Sequence, residues 1–367
     1  MSLKVGIVGL PNVGKSTLFN TLLKKQQALV ASFPFTTIEP NIGVVPVPDE
    51  RLSEFARVVE ESEGLEVPPL KIPATVEFVD IAGLVSGAHK GEGLGNRFLA
   101  HIREVDAVCH VLRVFEDSGV EREGSGDPKD DFEVVETELK LADLQTLEKQ
   151  KEPKGVVSKE EKQRWVVVSK LRAELQKGAV LREVDLGEDG MKSAKALNLL
   201  TLKPVLVVLN VGEQKLKEAL GLENEYAQKL GIAEDQVVAI SAKLESQLTE
   251  LPEEEQQEYL SDLGVDRSGL EKLVKKAYST LGLITFLTTN KSEVRAWTVR
   301  KGATAKVAAG VVHSDFESNF IKADVVSFKD FAEFGGWQSA RDKGKVRSEG
   351  KDYVVKDGDV IEFKTAV

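Results

Sequence analysis

The sequence contains little cysteine and no long hydrophobic run. Cys109 is the only cysteine among 367 residues, so an intrachain disulfide and a zinc site built from several cysteines are both excluded. No apolar run approaches the ~18–20 residues of a membrane-spanning helix. The start, Met1–Val5, lacks the apolar core and cleavage site of a secretory signal. We therefore expect a cytoplasmic protein with no membrane contact and two or three domains.

Positively charged residues are also fewer than negatively charged ones. Lys and Arg number 49 against 60 Asp and Glu, a net charge of −11, which argues against attraction of the whole molecule to nucleic acid. From residue 281 onward, 14 Lys and Arg face 12 Asp and Glu, a net +2, which leaves −13 on the first 280 residues. The C-terminal part is therefore electrostatically distinct, and a local basic patch is still open.

Short apolar runs alternate with helical patterns in the first part of the chain and again after residue 200. The runs are Leu3–Val8, Ala74–Val79, Ala107–Val114, Pro204–Leu209 and Gln236–Ile240. Strands that alternate with helices are typical of a doubly wound α/β sheet. We therefore predict one such domain from residues 1–127 and 201–281.

Residues 128–200 carry no strand signal and have the pattern of charged helices. Val135, Leu139 and Ala142 recur at helical spacing, and Pro153 and Gly155 interrupt the pattern. A second helical pattern resumes near residue 158, so we predict an inserted pair of antiparallel helices. The pattern leaves open whether this hairpin is a partner-binding arm or a decoration without a binding role.

Residues 282–367 are rich in strand signals again and predict a small mixed α/β domain. The expected strands are Thr285–Thr288, Glu293–Val299, Tyr353–Val355 and Val360–Phe363. The Asp-Gly pair at 357–358 has the turn chemistry that joins two short strands. We therefore expect a hairpin between the last two of them.

The segment Gly9–Ser16 fits the P-loop pattern G-x-x-x-x-G-K-[ST] and lies between a strand and a helix. Its glycines let successive N–H groups point into one concavity, and the helix start adds partial positive charge for phosphate. Lys15 is expected to reach the β and γ phosphates, and Ser16 to coordinate Mg²⁺. Thr17 supports the cradle, so the chain is predicted to bind and hydrolyse a nucleoside triphosphate.

Two further segments stand in the positions expected for loops that sense the γ phosphate. Asp80 ends a strand and is expected to hold the magnesium through water, while Gly83 offers its N–H to the γ phosphate. The glycine-rich stretch 87–95 favours a mobile loop over an ordinary one. Between the P-loop and Asp80, Thr37 is the favoured hydroxyl ligand for the metal, and Thr36 is the alternative.

With these motifs in place, the chain resembles the Obg-like ATPases of the YchF type, within the translation-factor class of P-loop NTPases. The segments that carry the resemblance are Gly9–Thr17, Phe33–Asn41, Asp80–Asn96, Asn210–Glu213 and a C-terminal segment similar to a TGS domain. The resemblance covers nearly the whole chain and implies a G-type domain, a β-grasp C-terminal domain and contact with RNA or the ribosome. The TGS-like domain and the helical insertion are the expected contact regions.

The base-reading element departs from that of guanine-specific relatives, which have Asn-Lys-x-Asp. Here Asn210 is followed by Val211, Gly212 and Glu213, so a longer carboxylate replaces Asp and an apolar contact replaces the cation. Adenine lacks the N1–H and 2-amino groups from which the Asp accepts hydrogen bonds. This is consistent with the ATP preference that the resemblance implies. GTP stays open as the alternative. Ser241-Ala242-Lys243 resembles the last base-contacting loop.

The residues predicted to bind nucleotide or metal are therefore Asn12, Val13, Gly14, Lys15, Ser16, Thr17, Thr37, Asp80, Asn210, Val211, Glu213, Ser241, Ala242 and Lys243.

The group that positions the attacking water is not the glutamine of many GTPases, because Leu84 stands at that place. Another polar group, an ion or a partner must then take that role, and the candidates within the domain are His89 and His110. The resemblance favours His110, with a core histidine as the alternative interpretation. Together with Lys15, Thr37 and Gly83, His110 forms the predicted catalytic set. Asn12 is predicted either to coordinate K⁺ beside the phosphates or only to shape the loop.

Three functions are compatible with these motifs. The first is an Mg²⁺-dependent ATPase that acts as a nucleotide switch on ribosomes. The others are a GTPase of the same architecture and a nucleotide-gated binding scaffold without turnover. A basic run in the C-terminal domain is either an RNA patch or a solvated face, and its members are Arg341, Lys343, Lys345, Arg347 and Lys351.

Overall fold

The computed structural model describes residues 3–32, 41–81, 94–116, 126–155 and 158–366. The strands are β1 Lys4–Val8, β2 Ile42–Pro46, β3 Leu70–Ile72, β4 Thr75–Asp80, β5 Ala107–Arg113, β6 Val205–Asn210, β7 Val237–Ile240, β8 Leu283–Thr289, β9 Glu293–Arg300, β10 Phe320–Ser327, β11 Arg347–Glu349 and β12 Asp359–Thr365. The helices are α1 Lys15–Ser32, α2 Arg51–Glu63, α3 Leu94–Glu104, α4 Pro128–Glu148, α5 Lys159–Gln176, α6 Gly187–Lys195, α7 Ala219–Leu230, α8 Ala242–Leu248, α9 Glu253–Asp262, α10 Gly269–Thr280, α11 Ala305–Val312, α12 Ser314–Ser318, α13 Phe328–Phe334 and α14 Trp337–Asp342.

The first sheet has the strand order β2-β4-β1-β5-β6-β7, and β1 pairs in parallel with both β4 and β5. Strands β5 and β6 are buried along their whole length, as expected for central parallel strands that are covered on both faces. The doubly wound α/β prediction is confirmed. The sequence pattern predicts five of these strands and misses β2, because Gly43 and Pro46 interrupt its apolar pattern.

The chain divides into two compact units, and the division does not follow the predicted boundaries. Unit 1 comprises Met1–Val45 and Glu77–Lys276, and unit 2 comprises Pro46–Val76 and Ala277–Val367. The predicted boundary at residue 127 assigns residues 46–76 to the nucleotide domain, whereas the structure packs them with the C-terminal segment. The short strand β3 contributes to this packing, because it pairs in parallel with β9.

Unit 2 is built around a mixed sheet of order β11-β10-β12-β8-β9-β3. The buried Phe55 of α2 packs edge-on against Phe331 of α13, with ring centroids 5.1 Å apart, and lies 6.4 Å from Phe328. Arg51 adds an ion pair with Asp357 at 2.8 Å. These contacts hold residues 46–76 onto a C-terminal β-rich domain.

The C-terminal sequence pattern identifies β8, β9 and β12 but is wrong about the final hairpin. Residues 353–355 form no strand, and Val354 makes only an isolated bridge to Thr304. The Asp357 carboxylate instead accepts a hydrogen bond from the Thr285 N–H, so the turn at Gly358 is fixed to β8. Strands β10 and β11 were not predicted, because the apolar signal of β10 is diluted by Lys322 and Asp324.

The inserted helices form the predicted antiparallel pair, because Gln150 at the end of α4 contacts Arg164 of α5, and Lys140 contacts Gly178. The predicted stripe of α4 packs in the core with Val8 and Val108 of the parallel sheet. A buried Asp143 accepts hydrogen bonds from the N–H groups of 200 and 201. Helix α4 is therefore part of the core. A third helix, α6, completes the insertion.

Cys109 is fully buried in β5, and burial raises the pKa of its thiol to about 12, which confirms the interpretation as a small buried hydrophobe. Within the described residues, none of the helices is both long enough and apolar enough to cross a bilayer.

Candidate nucleotide site

A cavity of about 1120 Å³ opens beside the P-loop in unit 1. Its lining comes from four segments that are far apart in sequence, at residues 12–17, 115–116, 210–215 and 241–250. Three of these segments follow the carboxyl ends of β5, β6 and β7, and the first follows β1. That edge is where parallel α/β sheets bind ligands, so the topology brings the predicted P-loop and base-reading segments to one site.

The P-loop has a backbone that only glycine accommodates at two positions. Gly14 has φ +99°, and a Cβ built there would lie 2.1 Å from Asn210 Nδ2. A Cβ on Gly9 would lie 2.6 Å from the carbonyl oxygen of Val111. Asn12 between them is left-handed, with φ 60°. The loop is therefore packed tightly against β5 and β6, and its curl leaves room for phosphate in the cavity.

The Lys15 side chain is held by hydrogen bonds to carbonyl groups of the P-loop. Its Nζ donates to the carbonyl oxygens of Gly9 at 2.9 Å and Leu10 at 2.6 Å, and the residue is only 8% exposed. The ammonium is therefore fixed by loop carbonyls in a residue that lines the cavity, and its role toward phosphate stays a prediction. Ser16 and Thr17 follow in the first turn of α1 as exposed residues that line the cavity.

Asp80 lies at the end of β4, directly beside β1, where it pairs in register with Ile7. Burial raises the pKa of Asp80, and the charge of Lys15 opposes that rise. The Asp80 carboxylate is therefore within the electrostatic influence of Lys15. Among the described residues, no group of three or more His, Cys, Asp or Glu side chains could hold a metal ion on its own.

Asn210 links the two ends of the cavity. Its Nδ2 donates to the Val13 carbonyl oxygen at 2.9 Å, and its Oδ1 accepts from the Ala242 N–H at 3.1 Å. The side chain is buried at 5% exposure, so both bonds are shielded from water. Asn210 thus joins the P-loop to the loop after β7, and Val13 enters the site through its backbone.

The base end is formed by residues 211–213 and 241–243. Val211 is buried at 2% exposure and presents an apolar wall, while Glu213 stands at the rim of the cavity. Ser241 uses its hydroxyl oxygen to cap α8 by accepting from the Leu244 N–H. Lys243 is exposed beside it.

Several predicted residues lie outside the described part of the chain. These are Thr36, Thr37, Gly83, Leu84 and His89, together with most of the glycine-rich stretch. Their roles as metal ligand, γ-phosphate sensor or water-positioning group stay predictions.

His110 does not line the cavity. It is fully buried on β5, with Nε2 3.4 Å from Glu136 Oε1 and its ring 4.8 Å from the ring of Phe132. Glu136 is also paired with Arg182 from the insertion. This environment favours the alternative interpretation, a core histidine beside a buried carboxylate, and the catalytic role of His110 stays a prediction.

One whole segment of the cavity lining was missed from the sequence. Phe115 and Glu116 follow β5 and line the site, and the Phe115 ring lies under the guanidinium of Arg113 at 4.5 Å. Their signal is positional, since every loop after a central parallel strand meets the same edge. A search for polar motifs passes over them because neither residue belongs to one.

Two family models match the chain. Residues 4–170 match a family described as 50S ribosome-binding GTPases, and residues 283–366 match the C-terminal domain of YchF GTPases, described as of unknown function.

Curated relatives match over their full length. The chain is 46% identical over 374 residues to the ribosome-binding ATPase YchF of Bacillus subtilis and 47% identical over 371 residues to that of Escherichia coli O157:H7, with 99% of both chains covered in each case. A solved structure described as the YchF GTPase of Schizosaccharomyces pombe superimposes with a TM-score of 0.86 at 33% identity, covering 99% of this chain and 98% of that one. The descriptions of these relatives differ in the nucleotide that they name.

Proposed function

Because the chain belongs to the YchF family of P-loop NTPases, we propose that it is an Mg²⁺-dependent ATPase that acts as a nucleotide switch on ribosomes. The observation that carries the proposal is one cavity lined both by the P-loop with Lys15 and by the segment Asn210–Glu213. The first part supplies phosphate chemistry, and the second supplies selection of the base.

At the phosphate end, Lys15 neutralises charge on the β and γ phosphates, and the P-loop N–H groups hold them in line. Hydrolysis adds water to the γ phosphorus and breaks its bond to the β–γ bridging oxygen, which leaves with ADP. Lys15 stabilises the charge that develops there, because it is already fixed by the Gly9 and Leu10 carbonyls and needs little reorganisation.

The donors at this end suit a hard divalent cation. Ser16 offers a hydroxyl and Asp80 a carboxylate, and Thr37 is the predicted further ligand. Magnesium usually takes one or two protein oxygens and completes its shell with phosphates and water, which fits the lack of a three-carboxylate cluster among the described residues. When bound, Mg²⁺ supplies charge neutralisation across the terminal phosphates. Asn12 lines the same end and is the candidate for K⁺.

At the base end, Val211 and Glu213 support adenine. The apolar Val211 replaces the lysine that lies along guanine in guanine readers, and Glu213 is one methylene longer than their aspartate. A GTPase is the second candidate, supported by the description of the structurally similar relative as a GTPase. The two candidates share the phosphate chemistry and differ only here.

Ribosome binding is proposed from the relatives, which are described as ribosome-binding ATPases. The C-terminal β-rich domain and the helical insertion are the proposed contact regions. Within the basic run, Arg341 pairs with Glu362, Lys345 with Asp330 and Arg347 with Glu349. Much of that run is therefore neutralised, and the contact is proposed to depend on shape as much as on charge.

The test compares ATP and GTP binding by calorimetry in the presence of Mg²⁺, and phosphate release with and without ribosomes. We expect tighter ATP binding and turnover that ribosomes stimulate. Equal or tighter GTP binding would overturn the assignment of the base. Nucleotide binding without turnover in either condition would favour the scaffold, and a comparison of K⁺ with Na⁺ buffers tests the role of Asn12.

A further inference from the structure

The Glu213 carboxylate at the rim of the cavity has a partner that the nucleotide motifs do not include. The Tyr259 hydroxyl donates a hydrogen bond to Glu213 Oε1 at 2.9 Å. Glu213 lines the cavity, whereas Tyr259 does not. Any effect of Tyr259 on a bound nucleotide therefore passes through Glu213.

Tyr259 is held in place by the packing of its own helix. Its neighbour Leu260 is 8% exposed and belongs to a small apolar cluster that joins α9 to α8 and to the turn after Glu213. The cluster contains Leu216, Leu244, Leu248, Leu251, Leu260, Leu263 and Val265. Both sides of the base end, residues 213–216 and 241–248, are thus packed on the helix that carries Tyr259.

Tyr259 acts as a donor at neutral pH. The hydrogen bond to Glu213 and the charge of that carboxylate raise the pKa of Tyr259, because a phenolate beside a carboxylate is unfavourable. The proton therefore stays on the phenol, and its hydrogen bond to Oε1 restrains the rotation of the Glu213 carboxylate. Among the described residues, Glu213 Oε2 has no hydrogen-bond partner.

A carboxylate restrained so that one oxygen faces the base distinguishes the two purines. Guanine presents two adjacent donors, N1–H and the 2-amino group, which together need both oxygens of one carboxylate. Adenine presents a single donor group, the 6-amino group, which one oxygen satisfies. An unmet donor of guanine would be desolvated without compensation.

We propose that Tyr259 is a positioning residue that sets the preference for adenine, by restraining Glu213 so that one carboxylate oxygen faces the base. The inference rests on the proposed function, since it requires a purine nucleotide in this cavity with its base at residues 210–213. It adds a residue of α9 that belongs to none of the nucleotide motifs.

The test is Tyr259→Phe, which removes only the hydroxyl from a side chain that is 41% exposed. With Mg²⁺ present, calorimetry gives Kd for ATP and GTP. We expect the ratio of Kd for GTP to Kd for ATP to fall about tenfold, mainly through tighter GTP binding. Tyr353→Phe is the matched control, because its hydroxyl also donates to a carboxylate, Asp359, but in unit 2.

A double-mutant cycle with Glu213→Ala separates positioning from a general effect on structure. If Tyr259 acts through Glu213, Tyr259→Phe leaves the ratio unchanged in the Glu213→Ala background. A fall of the same size in that background would overturn the inference. A Tyr259→Phe variant whose preference for ATP stays within twofold of wild type would also overturn the inference. The proposed ATPase function would still stand in that case. A wild type without ATP preference refutes the proposed base assignment first, and the inference with it.

Discussion

The phosphate end and the base end of the cavity are built in opposite ways. The loop at the phosphate end is one contiguous segment, Gly9–Thr17, whose conformation is fixed by glycine backbone and by Lys15 bonding to its own loop, and Asp80 lies nearby at the end of β4. The base end is assembled from segments about 30 residues apart, at 210–213 and 241–243, with α9 behind them. Asn210 is the side chain that bonds to both.

The difference has a consequence for selectivity. A contiguous loop of main-chain donors recognises phosphates, which ATP and GTP share. Under the proposed function, an assembly of side chains from distant segments recognises the base, where the two nucleotides differ. Phosphate binding is therefore robust to changes in packing, while base preference depends on a few long-range contacts.

Removing the phosphate-binding charge gives the largest expected effect. Lys15→Met keeps the length of the side chain and removes its ammonium, so kcat/KM should fall by about 100- to 1000-fold for ATP. GTP should lose the same factor, because the phosphate end does not distinguish bases. Steady-state phosphate release with both nucleotides measures this, with Lys229→Met, an exposed lysine on α7, as control. Unequal losses of kcat/KM for ATP and GTP would show that the two ends of the cavity do not act separately.

Disturbing the residue that joins the two ends gives the next largest effect. Asn210→Asp keeps the shape but replaces the Nδ2 donor by an acceptor that faces the Val13 carbonyl. A buried unmet acceptor costs about 1–3 kcal/mol, so we expect Tm to fall by several degrees and both nucleotides to bind at least tenfold more weakly. Thermal unfolding and calorimetry report the two effects. An unchanged Tm with weakened binding would mean that Asn210 acts only on the ligand.

Shortening the base-end carboxylate gives a smaller and selective effect. Glu213→Asp removes one methylene and breaks the contact with Tyr259. The preference for ATP over GTP should fall about tenfold, while kcat with saturating nucleotide changes little. Parallel titrations of both nucleotides check this, and a common loss of kcat would show that the base end also affects phosphate chemistry.

The smallest expected effect concerns a buried carboxylate of the inserted helix α4. Burial alone would raise the pKa of Glu136, but the neighbouring His110 and Arg182 outweigh it and lower that pKa. A lowered folded-state pKa means that this stabilisation is present above the unfolded value of about 4.3 and is lost as pH falls through the folded-state value.

Urea unfolding between pH 7 and pH 3 should therefore show that wild type loses more stability below about pH 4.3 than Glu136→Gln does. Glu133→Gln, an exposed change on the same helix, serves as control and should follow wild type. Parallel curves for wild type and Glu136→Gln would argue against the pair.

Much of the nucleotide domain could be predicted because its central strands are continuous apolar runs next to loops with special chemistry. Strands β1, β5 and β6 are examples. The segment 46–76 could not be placed, because β3 has three residues of which two are exposed, and its partner β9 lies more than 200 residues later. Nothing local in Leu70–Ile72 specifies that pairing.

The candidate site divides in the same way. Lys15 and Ser16 are readable because their chemistry depends on a contiguous pattern. Tyr259 is not, because its role arises only when α9 packs beside the turn after Glu213. His110 differs again, since the family pattern indicates chemistry while the structure places the side chain in the core beside Glu136, and its catalytic role stays a prediction.

The pairing of β3 with β9 also bears on how the chain is made. During synthesis, residues 46–76 emerge about 200 residues before the segment on which they pack. At about 5–20 residues per second, the apolar face of α2, with Leu52 and Phe55, waits for tens of seconds without its partners. The nascent chain therefore carries an early aggregation-prone helix, and a truncation before residue 277 would leave that helix permanently uncovered.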